Sequence, residues 1–143
     1  MADHLYDPQR GKLVRALPEE RVRRQFVDWL IASAGVPARL LAVEYPLSNL
    51  DPLSRQRADV VVWQPNATPN GGLSPWLLAE CKAPDIKLGE AVTDQVRRYA
   101  ARVRAAYVLI TNGADTRVFA LSSDRYEVIE GLPPYPRSSL NPS

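Results

Sequence analysis

The sequence predicts an α/β protein: a mixed sheet flanked by helices, in the order helix, three strands, helix, two strands. Three observations carry this expectation. Apolar residues recur at helical spacing in two separate stretches, and short apolar runs bounded by Pro, Asn and Gly lie between and after them. The third strand, the second helix and the fourth strand together form a crossover unit, which requires those two strands to be parallel and the connection right-handed.

The first helix opens at Pro18, a residue suited to the first turn, followed by Glu19 and Glu20 where the helix dipole favours negative charge. Val22, Phe26, Trp29 and Leu30 then repeat at helical spacing until Gly35 and Pro37 stop the run. Residues 40–46, 56–63 and 76–82 read as strands. The links between them, 47–55 and 64–75, are rich in Pro, Asn, Asp, Ser and Gly, so the three strands are expected to pair as antiparallel neighbours. Leu88, Val92, Val96, Tyr99 and Val103 form the stripe of a second helix over 88–104. A fourth strand over 106–111 ends at Asn112-Gly113, a pair that tolerates positive φ in a tight turn. A fifth over 116–121 pairs back, with 126–129 a short addition. Residues 1–16 read as an irregular arm. The chain divides into one domain, 1–130, and a Pro/Ser-rich tail, 131–143, with no core to join.

Composition narrows the function classes. With 143 residues, 45% apolar and 24% charged, the chain can bury one real core and needs no second domain. A formal charge of +2 permits nucleic-acid binding without demanding it. One cysteine and one histidine leave no internal disulfide, no Cys/His zinc site and no triad built on an imidazole. No apolar run is long enough to cross a bilayer and no secretory leader is visible. A soluble cytoplasmic protein with no membrane partner is therefore expected, and Asn66-Ala67-Thr68 is read as loop rather than as a glycosylation site.

The chemistry concentrates at two strand ends. Asp59 heads the apolar run Val60 to Trp63, and Glu80-Cys81-Lys82 closes the run Trp76 to Ala79. Successive strand residues alternate faces, so Glu80 and Lys82 point one way and Cys81 the other. Alone, such a pair would read as a solvated face. Here Trp76 and Leu78 share its face, Val61 and Trp63 share that of Asp59, and charge appears only at the end of an apolar row. If the strands pair, two carboxylates and an ammonium converge at one end of the sheet. Two carboxylates suit a hard divalent cation, and the ammonium can orient a water or offset charge on a phosphate.

These residues resemble the PD-(D/E)xK nuclease superfamily, and more closely the N-terminal nuclease domain of type I restriction enzyme R subunits. The matching segments are Pro18-Glu19-Glu20 with Arg23, Arg57-Ala58-Asp59-Val60-Val61-Val62, Ala79-Glu80-Cys81-Lys82-Ala83-Pro84, Gln95 to Tyr99, and Tyr107 to Gly113. The resemblance implies a restriction-endonuclease-like αβββαβ core, Mg²⁺ as cofactor with Mn²⁺ able to substitute, and DNA as substrate. Asp59 and Glu80 would be metal ligands and Lys82 the residue beside the attacking water. Gln95 and Tyr99 match the QxxxY motif flanking the site, while Ala58 departs from the proline of the superfamily name.

Other expectations come from the residues themselves. Gln95 lies within the apolar stripe of its helix, so its amide is expected to be buried and to need partners. Glu19 shares the wheel position of Phe26, which makes it, rather than Glu20, the acid expected to lean over the site. Arg55, Arg57, Arg97, Arg98 and Arg102 are candidate phosphate contacts, with a solvated basic face as the plain alternative.

The reading is a stand-alone restriction-type nuclease domain that hydrolyses phosphodiesters with metal-activated water, as a homodimer or within a larger restriction-type complex. No GxxxxGK[ST] loop is present, so no ATP is expected. The alternative is a catalytically silent DNA-binding or interaction module of a restriction, defence or DNA-repair system.

Overall fold

A computed structural model describes residues 4–15, 17–66 and 71–136. The sequon's Ala67 and Thr68 and the tail beyond residue 136 lie outside them. The first segment is a hairpin rather than an irregular arm: β1 (His4–Asp7) pairs antiparallel with β2 (Lys12–Arg15). Turn chemistry makes it. The Asp7 carboxylate accepts the Gln9 and Arg10 N–H groups, and Gly11, at φ +64°, closes the turn with its N–H on the Asp7 carbonyl at 2.7 Å.

Helix α1 (Pro18–Ala32) starts at its proline, as expected. It ends where Gly35 takes φ +80°, which lets the Val36 N–H return to the Leu30 carbonyl at 3.0 Å. Strands β3 (Leu41–Pro46), β4 (Arg57–Pro65) and β5 (Leu73–Cys81) follow, then α2 (Glu90–Val103), β6 (Tyr107–Thr111), β7 (Thr116–Ser122) and β8 (Arg125–Ile129). Helix α2 opens two residues later than its apolar stripe suggested, because Leu88 is buried ahead of the Gly89 cap.

The last six strands form one sheet in the order β3-β4-β5-β6-β7-β8. Every neighbouring pair is antiparallel except β5 with β6, which is parallel across the α2 crossover. Both faces of the middle strands are covered, which explains why they read as unbroken apolar runs. On one side Val60, Val62, Leu77, Ala79 and Leu109 meet Val22, Phe26, Val27 and Leu30 of α1. On the other, Val61, Leu78, Val108, Ile110 and Phe119 meet Val96, Tyr99 and Ala100 of α2.

Two expectations need correction. Trp76 does not share the face of Leu78 and Glu80. The register jumps from Val62 opposite Leu77 to Trp63 opposite Pro75, so Trp76 is an extra residue on β5 and turns into the α1-side core. The tail also has a core to join. Leu132 and Tyr135 pack on that same cluster, and the Tyr135 ring meets Trp76 edge-on at 5.1 Å. Its hydroxyl donates to the Trp63 carbonyl at 2.7 Å, and its N–H to the Ala34 carbonyl at 2.8 Å. Tyr135→Ala is expected to destabilise the fold by about 2 kcal/mol, from a lost ring pair and hydrogen bond. A lower urea midpoint at unchanged slope would register it.

Candidate active site

Sheet register builds the site. Val60 pairs with Ala79 and Val61 with Leu78, so the next step along both strands sets Asp59 beside Glu80. On the other side, Val43 pairs with Val60 and Tyr45 with Ala58, which sets Glu44 opposite Asp59. Three carboxylates therefore fall in one row across β3, β4 and β5. Like charges directly opposite one another repel, so the row must be compensated or used.

The structure resolves this crowding in two directions. Asp59 Oδ2 accepts the Cys81 backbone N–H at 2.7 Å, so a side chain takes a backbone donor of the neighbouring strand. Glu80 Oε2 accepts the Tyr99 hydroxyl at 2.8 Å from α2. The Asp59 and Glu80 carboxyls face each other closely enough for one proton to bridge them. Burial, and then the neighbouring Asp59 charge, push the Glu80 carboxyl up to about 8, against the opposing pull of the Tyr99 hydroxyl and of Lys82. Burial and the same two carboxylates push the Cys81 thiol up, as expected of an unreactive sulfur.

Glu44 turns the other way. Its φ of +49° is unusual for a non-glycine residue, and its carboxylate meets Arg10 at 2.8 Å and Arg23 at 3.4 Å. Burial opposes its charge, but these two guanidinium groups outweigh it and hold Glu44 below the usual carboxylate range. Arg23, only 5% exposed, also binds Glu20 and lies 4.0 Å from Asp59 Oδ1. Arg10 reaches in from the β1–β2 turn to Glu20 at 3.0 Å, while Asp7 holds its other edge. Lys82 follows the last paired residue of β5, with its backbone N–H on the Thr111 carbonyl at 2.8 Å, and is half-buried.

Expected residues divide accordingly. Asp59, Glu80 and Tyr99 come together, and Lys82 lies within electrostatic reach of Glu80. Glu19 does not join them: it is exposed, and Glu20 is the acid of α1 that turns inward to Arg10 and Arg23. The reason is a tie on the helical wheel that favours neither residue. Glu19 lies in line with buried Phe26 and Glu20 with buried Val27, and the two guanidinium groups decide for Glu20. Gln95 is not a buried amide either. The inward face of α2 is Thr93, Val96, Tyr99 and Ala100, and Gln95 lies beside it, exposed at a cleft.

The arginines also separate. Arg55, Arg98 and Arg102 line that cleft, with Arg102 held by Asp51 at 2.8 Å. Arg57 donates to the Glu44 carbonyl at 3.0 Å, and Arg97 binds Asp94 and lies 4.9 Å over the Phe119 ring, so neither faces it. Sequence reasoning missed Arg10, Glu20 and Glu44. Only the i,i+3 spacing of Glu20 and Arg23 was a visible signal.

A hard cation fits the Asp59–Glu80 pair, because two facing carboxylates offer oxygen donors whose repulsion a positive ion would relieve. Mg²⁺ keeps several waters and needs only one or two carboxylates alongside substrate phosphate. Among the described residues no group of three or more His, Cys, Asp or Glu side chains is placed to share an ion, since Glu20 and Glu44 belong to the arginines. No helix among them is long and apolar enough to cross a membrane.

Comparison with known proteins agrees with this fold. No match was found among curated protein sequences. The family model described as type I restriction enzyme R protein N terminus (HSDR_N) matches residues 18–133, which takes in both helices, the whole six-stranded sheet and the carboxylate pair. The chain therefore belongs to the type I restriction enzyme R protein N-terminal family, which points to a restriction-type nuclease domain.

Proposed function

We propose that the protein is a Mg²⁺-dependent endonuclease that hydrolyses DNA phosphodiesters, and that Mn²⁺ can replace Mg²⁺. The observation that carries this reading is the facing pair of Asp59 and Glu80, with Glu80 driven toward neutrality by burial and by its neighbour. A buried like-charge pair is costly, and such pairs concentrate where chemistry needs them. A bound divalent cation would supply a water of lowered pKa and stabilise charge on the phosphate.

The chain's own residues divide the remaining work. Asp59 and Glu80 would hold the cation, while the Cys81 N–H fixes the angle of Asp59 and the Tyr99 hydroxyl that of Glu80. The Lys82 charge reaches Glu80, and from two residues further along the chain its ammonium would orient the attacking water or offset charge on the phosphate. Arg23 sets the other edge of Asp59. The domain acts in the cytoplasm as a homodimer or inside a larger restriction-type complex, and it uses no ATP.

The test is nicking of supercoiled plasmid. The parent protein is expected to nick with Mg²⁺ or Mn²⁺ and not with a chelator. Asp59→Ala and Lys82→Ala should each lose roughly 10²- to 10³-fold in rate, the scale of losing one preorganised electrostatic group. Equal behaviour of all three proteins would end the catalytic reading.

One observation favours a silent DNA-binding or interaction module. Glu20 and Glu44, the two further acids near the pair, are held by Arg10 and Arg23. Metal-insensitive, salt-dependent DNA binding without cleavage would decide for that module.

A further inference from the structure

Beside the carboxylate pair lies a cleft of about 700 Å³ between α2 and the loop that precedes β4. Tyr99 joins the two, because it lines the cleft and its hydroxyl binds Glu80. The loop wall is braced from within. Asp51 accepts the Leu53 N–H at 3.2 Å and receives Arg102 from α2 at 2.8 Å, while the Ser54 hydroxyl accepts the Gln56 N–H at 3.2 Å.

What projects from these walls is a mixed set. Arg55 and the side-chain amides of Gln56 and Gln95 have no partner among the described residues, and Leu53 is 79% exposed. Arginine suits phosphate and a free amide serves phosphate or a base edge, but an exposed apolar side chain suits neither a phosphate nor water. Together the amides and Leu53 match the edges and the face of a base. A duplex keeps the faces of its bases stacked inside, whereas an unpaired strand can turn a base face into the cleft. The volume is that of pockets that enclose a ligand of about nucleotide size, ~300–1,000 Å³.

We propose that this cleft binds an unpaired DNA strand next to the scissile phosphate, so that the preferred substrate carries single-stranded nucleotides at or beside the cut. Arg55 and Arg98 hold the backbone, Gln56 and Gln95 meet base edges, and Leu53 packs on a base face. The inference deepens the nuclease reading but its binding step needs no metal.

The experiment is fluorescence anisotropy with the full chain in EDTA, using a labelled mixed-sequence single strand and the same strand annealed to its complement. The single strand is expected to bind at least about tenfold more tightly at equal salt, the difference that stacking and base contacts bring. Leu53→Ser and Gln56→Ala alter exposed side chains, so both should fold, which their circular dichroism checks. Each should weaken single-strand binding about three- to tenfold and leave duplex binding unchanged. Duplex binding as tight as single-strand binding, or a single-strand affinity that neither variant moves, would overturn the proposal. Nicking is scored separately: tight strand binding without nicking sinks catalysis alone, and nicking without strand preference sinks this inference alone.

Discussion

Replacing Glu80 by glutamine is expected to stop nicking and, at the same time, to raise the melting temperature of the metal-free protein at pH 8. Both effects have one cause. Burial, and then the Asp59 charge, lift the Glu80 carboxyl to about 8, so the folded protein holds a proton that the unfolded chain releases near 4.5. Below pH 4.5 the group is neutral in both states and costs nothing. Between 4.5 and 8 the unfolded chain gains the advantage of ionising first, and stability falls as pH rises. Above 8 the whole penalty is present. Glutamine keeps an oxygen for the Tyr99 hydroxyl and carries no charge, so the variant escapes that penalty. At ~1.4 kcal/mol per pKa unit the gain is at least about 2 kcal/mol, or ~4 to 8 °C, at pH 8. It should shrink toward zero at pH 4.5. Mg²⁺ should raise the melting temperature of the parent at pH 8 and leave that of the variant where it was. A variant that melts below the parent at pH 8 would show that Glu80 is stabilising as an anion, and the strained pair would not exist.

How much of this was readable in the chain depends on how local each cause is. The helix that opens at Pro18, the strands with both faces buried and the parallel crossover through α2 follow from periodicity and connection length, so they were legible. The convergence of Asp59 and Glu80 was legible too, because both acids bound apolar runs at strand ends and no irregularity falls between those ends and the paired residues, Val60 with Ala79 and Val61 with Leu78. Trp76 was not, since the extra residue on β5 breaks the alternation that would tie its face to those of Leu78 and Glu80. The inward turn of Glu20 was not legible either. Its cause, Arg10, sits in the turn Asp7-Pro8-Gln9-Arg10-Gly11, ten residues away, and no wheel drawn on α1 contains it. Gln95 failed for a related reason: a wheel gives directions but not what fills them, and here the loop at 53–56 leaves a cleft where packing was expected. Local pattern placed the elements and the acids; contacts between distant segments decided which acids are bound by arginine and which are left facing each other.

Arg23→Ala is expected to be the most destabilising single change near the site, costing about 3 to 5 kcal/mol. Arg23 is almost fully enclosed, and its guanidinium is shared by Glu20, Glu44 at 3.4 Å and Asp59 at 4.0 Å. Truncation leaves those carboxylates facing one another with Arg10 as the nearest guanidinium, itself already tied to Asp7, Glu20 and Glu44. The loss should depend on pH with a definite sign. Glu44 is held below its usual range, so its contribution is complete above about 4.5 and disappears as pH falls through its folded value. The gap between parent and Arg23→Ala in urea midpoint should therefore be widest near pH 7 and narrow below pH 4. Pairing the change with Glu44→Gln removes one of the stranded charges, and the double variant should recover part of the loss, on the order of 1 kcal/mol or more of coupling. A double variant no more stable than Arg23→Ala alone would mean that Arg23 acts by filling space rather than by holding the acids apart. Asp59 would then owe its orientation to the Cys81 N–H alone.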